Sequence, residues 1–176
     1  TELDTYCFQM TDDLGTELTT INFTNATGLT IIRNYSFLDC SKLTSIDFTN
    51  TTALQSIRSY AFKDCSQLQS VIFGSSNTVF NTGIFQGCNN LSNITFNTNS
   101  QLTSSSFQSN TFTDTNSNSI TITIGNELAS TLGVTSSTTS FYGATSNNNN
   151  LSITIQYEPE AEPEGEPEQE PEQEPE

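Results

Sequence analysis

The stretch Ile57-Arg-Ser-Tyr-Ala-Phe62-Lys-Asp-Cys65-Ser-Gln-Leu68-Gln-Ser-Val71-Ile-Phe73 decides the fold, because the chain restates it at a fixed offset. Its closing hexad has three counterparts. Leu18-Thr-Thr-Ile21-Asn-Phe23, Leu43-Thr-Ser-Ile46-Asp-Phe48 and Leu91-Ser-Asn-Ile94-Thr-Phe96 align with Leu68 to Phe73, and successive hexads along the chain are 25, 25 and 23 residues apart. Ile32 matches Ile57, and Phe37, Phe62 and Phe85 match one another. Cys40, Cys65 and Cys88 each stand three residues before the leucine. A period of this length marks a repeat protein.

The last four residues of each hexad alternate apolar and polar, as a half-buried strand does. Ile46 and Phe48 are therefore expected to face inward, and Ser45 and Asp47 outward. One coil cannot bury its apolar side alone, so successive coils must stack over a shared core. Strand spacing of ~4.8 Å then places equivalent side chains in ladders. Phe23, Phe48, Phe73 and Phe96 are expected to form one inner ladder, and Phe37, Phe62 and Phe85 another. These rings read as packing rather than as an aromatic box for a ligand.

The pattern resembles the BspA-type leucine-rich repeat, which has an Ile, a Tyr-Ala-Phe, a Cys and then Leu-x-x-Ile-x-Ile in about 23 residues. The resemblance covers roughly residues 16–107, with three departures. The Pro that commonly follows the strand is replaced by Thr24, Thr49, Gly74 and Asn97. The third coil reads Gly83-Ile-Phe85 in place of Tyr-Ala-Phe, and the period fades after Phe107. The fold expected is a β-rich repeat solenoid of about four to six coils over 1–157, with 1–15 and 108–157 as caps or degenerate coils. Within the latter, Ile120-Thr-Ile-Thr-Ile124 and Leu151-Ser-Ile-Thr-Ile155 still alternate like strands. The resemblance implies a secreted or surface-displayed protein concerned with adhesion and recognition, and buried, reduced cysteines in the ladder.

Thr, Ser and Asn number 29, 23 and 19, so 71 of the 176 residues are of these three types. Four Lys and Arg oppose 20 Asp and Glu, for a net charge of −16. Such a chain is a poor partner for nucleic acid or an anionic membrane, both of which require clustered cations. With no His, the commonest acid–base group and metal ligand is missing. No apolar run approaches the ~18 residues of a membrane-spanning helix. Neither an enzyme nor a cofactor site is expected.

Residues 158–176 hold ten of the glutamates and all five prolines, in a Glu-Pro-Glu-x repeat. This composition buries too little to offset chain entropy and reads as an extended or disordered tail, a linker or stalk favouring a polyproline-II-like rise of ~3.1 Å per residue. A role in binding a basic partner or weak calcium is the alternative.

Four cysteines leave pairing open. Cys40, Cys65 and Cys88 are repeat-equivalent and cannot all pair in one stack, and a buried thiol is a good ladder residue. Cys7 lies apart from the repeat as read here and is the foremost disulfide partner if a bridge forms. Without His, a catalytic thiol is not expected. Glycosylation sequons fall at Asn22, Asn25, Asn34, Asn50, Asn90, Asn93 and Asn150. Asn22 and Asn93 are expected on the outward sheet face, where sugar would oppose a ligand groove and favour a coat. The absence of an initiating Met and of a signal peptide suits a mature or trimmed product.

Asp114-Thr-Asn116-Ser-Asn118 resembles the start of a calcium loop. Ser119 stands where the loop needs Gly, however, and Gly125 where it needs Glu, so a polar turn is the better reading. Asp12 and Asp13 near Glu17 read as an acidic cap. The outward candidates are Ser45, Asp47, Ser70, Ile72, Asn93 and Thr95, a face without the Trp, Tyr and Arg of conventional hot spots. Three functions compete: an extracellular module binding a protein or glycan, a glycosylated coat or filament subunit assembling with itself through solenoid ends, and an ice- or glycan-binding array. Asp47 and Ile72 disfavour the third.

Overall fold

The computed structural model describes residues 1–8, 18–97, 101–108, 110–112, 115, 120–138, 140–142, 144–145 and 152–156. The chain shuttles between two parallel sheets. β1 (Glu2–Leu3), β3 (Ile31–Ile32), β5 (Ser56–Ile57) and β7 (Val79–Phe80) build a short-stranded sheet in that order. β2 (Thr20–Ile21), β4 (Ser45–Phe48), β6 (Ser70–Phe73) and β8 (Asn93–Phe96) alternate with them and build a longer one. These eight strands make about four turns of a parallel β-solenoid, each with a strand in both sheets.

Register follows the repeat. Ile46 pairs with Val71 and Val71 with Ile94, while Phe48 pairs with Phe73 and Phe73 with Phe96. On the short side Ile32 pairs with Ile57 and Ile57 with Phe80. The alternation works as expected: Ile46 and Phe48 are buried, and Ser45 and Asp47 are exposed. One ladder stacks Phe23, Phe48, Phe73 and Phe96 at centroid spacings of 5.0, 5.6 and 5.1 Å. The other stacks Phe37, Phe62 and Phe85 at 4.8 and 5.7 Å. It runs further than the sequence shows, with Phe8 at 4.8 Å from Phe37 and Phe112 at 6.1 Å from Phe85. The two ladders meet edge to face, as Phe48 does with Phe62 at 6.1 Å. Offset and edge-on contacts are the arrangements that ring quadrupoles favour.

A third column was not foreseen. Tyr6, Tyr35 and Tyr60 stack at 5.3 Å spacing, each with left-handed backbone. That conformation is uncommon for a bulky residue. In the next coil Gly83 takes the position with φ +59°, and an added Cβ would lie 2.7 Å from Cε1 of Tyr60. The tyrosine column therefore ends with a ring laid across a glycine, which accounts for the missing Tyr of that coil. Asp39, Asp64 and Gly87 repeat a second left-handed position four residues further on.

The stack begins earlier than the hexads suggest. Glu2–Leu3 pairs with Ile31–Ile32, and Tyr6-Cys7-Phe8 occupies the place of Tyr60-Ala61-Phe62, so Cys7 belongs to a coil. At the other end, β9 (Thr121–Gly125) joins β8 in the long sheet. A seven-residue helix, α1 (Asn126–Leu132), follows, and the sequence reading contained no helix. Gly125 begins it, and Gly133 ends it in a left-handed turn at φ 65°. Leu128 and Ala129 are its buried side chains. The antiparallel pair β10 (Ser140–Phe141) and β11 (Ala144–Thr145) precedes β12 (Ser152–Gln156), which adds to β9 in parallel. The Asp12–Asp13–Glu17 group, the segment 114–119 apart from Thr115, Asn150 and the Glu-Pro tail lie outside the described residues.

Candidate interaction surface

Strand alternation that buries one side of the long sheet must present the other. Ser45 opposes Ser70, Ser70 opposes Asn93 and Asn93 opposes Thr121, so these four form one outward row. Asp47, Ile72, Thr95 and Thr123 form the next. Ser45, Asp47 and Asn93 are exposed, while Ser70, Ile72 and Thr95 are partly covered. The six candidates thus share one face, with neighbours within a row a strand spacing apart and the two rows separated by two residues along the strands.

Asp47 is not simply a free anion. Its Oδ1 accepts the backbone N–H of Thr49 at 2.8 Å, closing the turn after β4. Asn22 does the same for Thr24 at 2.8 Å. Short side-chain acceptors of this kind mimic a backbone turn, and they replace the Pro expected after the strand. A hollow of about 320 Å³ lies at this edge, lined by Thr20, Asn22, Phe23, Asp47 and Asn50 among others.

Six sequon asparagines lie among the described residues, and all are exposed: Asn22, Asn25, Asn34, Asn50, Asn90 and Asn93. Their local ties differ. Asn90 Nδ2 donates to the Ser66 carbonyl at 2.8 Å, and Asn93 Nδ2 donates to Ser92 Oγ at 2.9 Å. The hydroxyl of Ser36, which completes the Asn34 sequon, is buried and donates to the carbonyls of Arg33 and Asp4 at 2.8 and 2.9 Å.

None of the four cysteines is in a disulfide. Cys40, Cys65 and Cys88 are fully buried, and each thiol donates to a phenylalanine carbonyl one coil earlier. The Cys40 thiol is held far above its ordinary range, first by its hydrogen bond with Cys65 and then by burial. At Cys65 the Cys40 contact pulls the other way, but the Cys88 thiol and burial outweigh it, so this group is raised as well. Cys7 is exposed, its Sγ is 3.7 Å from the Ser36 carbonyl, and desolvation raises its pKa too. Full burial and the carbonyl contacts make Cys40, Cys65 and Cys88 part of the packing. Among the described residues, no group of three or more Cys, Asp or Glu is placed to hold a metal ion. No helix there is long and apolar enough to cross a membrane.

A rigid solenoid with stacked rings inside and a polar, in-register face outside belongs to the class of repeat scaffolds that act by interaction. A family model for the BspA type leucine rich repeat region, in six copies, matches residues 1–133. The chain belongs to the BspA-type leucine-rich repeat family. No curated protein and no solved structure matches it.

Proposed function

We propose that this chain is an extracellular or cell-surface recognition module, using the outer face of the long sheet to bind a protein or glycan partner. The observation that carries this reading is the register of Ser45, Ser70 and Asn93 beside Asp47, Ile72 and Thr95. It sets mostly hydrogen-bonding side chains in register over a core of stacked rings. Fixed, preorganised contacts lose little entropy on binding. The Glu-Pro repeat of 158–176 suits a stalk that holds the module off a surface.

A coat or filament subunit is the second reading. Asn93, exposed in the outward row of the long sheet, favours it, as does Asn22, exposed directly after β2. Light scattering of the full chain from micromolar concentrations upward separates the two. A recognition module stays monomeric, whereas a coat subunit grows into larger species through its ends.

A further inference from the structure

The short-stranded sheet carries a different chemistry from the long one. Residues that follow its strands stack as a column, Asp4, Arg33, Arg58 and Asn81, because Leu3, Ile32, Ile57 and Phe80 are in register. Two of the chain's four cationic side chains therefore stand on neighbouring rungs. Like charges directly opposite in a sheet repel. Arg33 is offset by Glu2, whose carboxylate accepts its Nε–H at 2.9 Å, and by Asp4 at 3.8 Å. The guanidinium of Arg58 has no ion pair or hydrogen bond among the described residues.

These two arginines border a cavity of about 380 Å³. Its other walls are the neutral polar residues Thr5, Asn34, Ser59 and Asn81. Ile31 adds the one apolar side chain of the lining. The volume lies within the usual ~300–1,000 Å³ of small-ligand sites, yet the apolar lining normal for such sites is missing. What it offers is one uncompensated planar cation, Arg58, beside the paired Arg33 and among neutral polar residues. A guanidinium matches a carboxylate bidentately, and amides and hydroxyls match sugar hydroxyls.

We propose that this cavity binds an acidic sugar, a hexuronic or sialic acid residue, through its carboxylate on Arg58 and its hydroxyls on Asn34, Ser59 and Asn81. Strand addition by an acidic peptide has no place here, since β3 and β5 already have neighbours on both sides. The exposed Asn34 sequon lies in the wall, so a glycan there would close the site. The site stands apart from the outer face of the long sheet, and its failure leaves the reading of that face intact.

The test uses the full chain from a host that does not glycosylate, titrated by ligand-observed NMR with glucuronic acid and N-acetylneuraminic acid. Glucose, sodium sulfate and a Glu-Pro-Glu-Gln repeat peptide are the comparison probes. At least one acidic sugar should bind in preference to all three, which also tells the two sugar classes apart. Arg58→Gln should weaken that binding about tenfold or more with an unchanged melting temperature, since the residue is exposed. Asn81→Ala should weaken it less. Equal binding of glucose, equal binding of sulfate, tighter binding of the peptide, an unaffected Arg58→Gln variant, or no binding of either sugar would each overturn the proposal.

Discussion

The thiol of Cys65 donates to the carbonyl oxygen of Phe37, one coil earlier, at 3.2 Å. Cys88 repeats the contact to Phe62 at 3.1 Å and Cys40 to Phe8 at 3.4 Å. The repeating cysteine is thus a coil-to-coil tie, made by a small buried side chain with a weak donor. The tie exists only while the thiol keeps its proton.

A pH dependence follows. Cys40 and Cys65 have folded-state pKa values above those of the unfolded chain, so the folded state holds their protons more tightly. The stability they contribute is complete below the unfolded value of about 8.5 and is lost as pH rises above it. Urea midpoints should be level with respect to these groups from pH 6 to 8 and fall beyond pH 9. A Cys40→Ala/Cys65→Ala variant should lose part of that alkaline slope. A slope unchanged in the double variant would remove the thiols from the explanation.

Reactivity should divide the four cysteines. Under native conditions iodoacetamide should modify Cys7 alone, more slowly than a free thiol at the same pH because desolvation raises its pKa. Cys40, Cys65 and Cys88 should react only after unfolding. Peptide mapping of the alkylated protein reads this directly, and early labelling of Cys65 would contradict the packed column.

The ring ladders set the energetic scale. Phe48 and Phe62 are almost completely buried, and each stacks on rings both above and below. Truncating either to Ala should cost ~3–5 kcal/mol, in line with other buried aromatic truncations. Denaturant titration gives the value. Costs below ~1 kcal/mol for both would be incompatible with an inner ladder.

Two smaller substitutions probe backbone and polarity. Gly83→Ala should destabilise the protein, because the new methyl meets the Tyr60 ring at 2.7 Å and the position has φ +59°. Ser56→Ala should do the opposite. Its Oγ is buried without a hydrogen-bond partner among the described residues, and removing an unsatisfied hydroxyl relieves a penalty of ~1–3 kcal/mol. Thermal melts of the two variants should therefore shift in opposite directions.

Much of this architecture is legible in the sequence where strands are long enough to alternate. Ile46 and Phe48 against Ser45 and Asp47 is a period-2 pattern, and the other hexads repeat it except at the outward Ile72. The short sheet is harder to read, since two-residue strands such as Ile31–Ile32 show no period. The Arg33–Arg58 column goes unnoticed for that reason, although its 25-residue offset equals that of the hexads. Tyr6-Cys7-Phe8 has the form of the Tyr-Ala-Phe motif, but Leu18 follows Phe8 by ten residues where Leu43 follows Phe37 by six, so its place in the first coil is missed. Helix α1 is only seven residues long, too short for an apolar stripe, and Gly125 and Gly133 were its visible boundaries.

Recognition through the long sheet requires its outer face to be free to meet a partner. Site-resolved glycan mapping of the protein from its native source tests this directly at Asn22 and Asn93. Recognition through that face predicts both asparagines unmodified, whatever the state of Asn25 and Asn50. Sugar on both Asn22 and Asn93 would contradict it and point to a glycosylated coat.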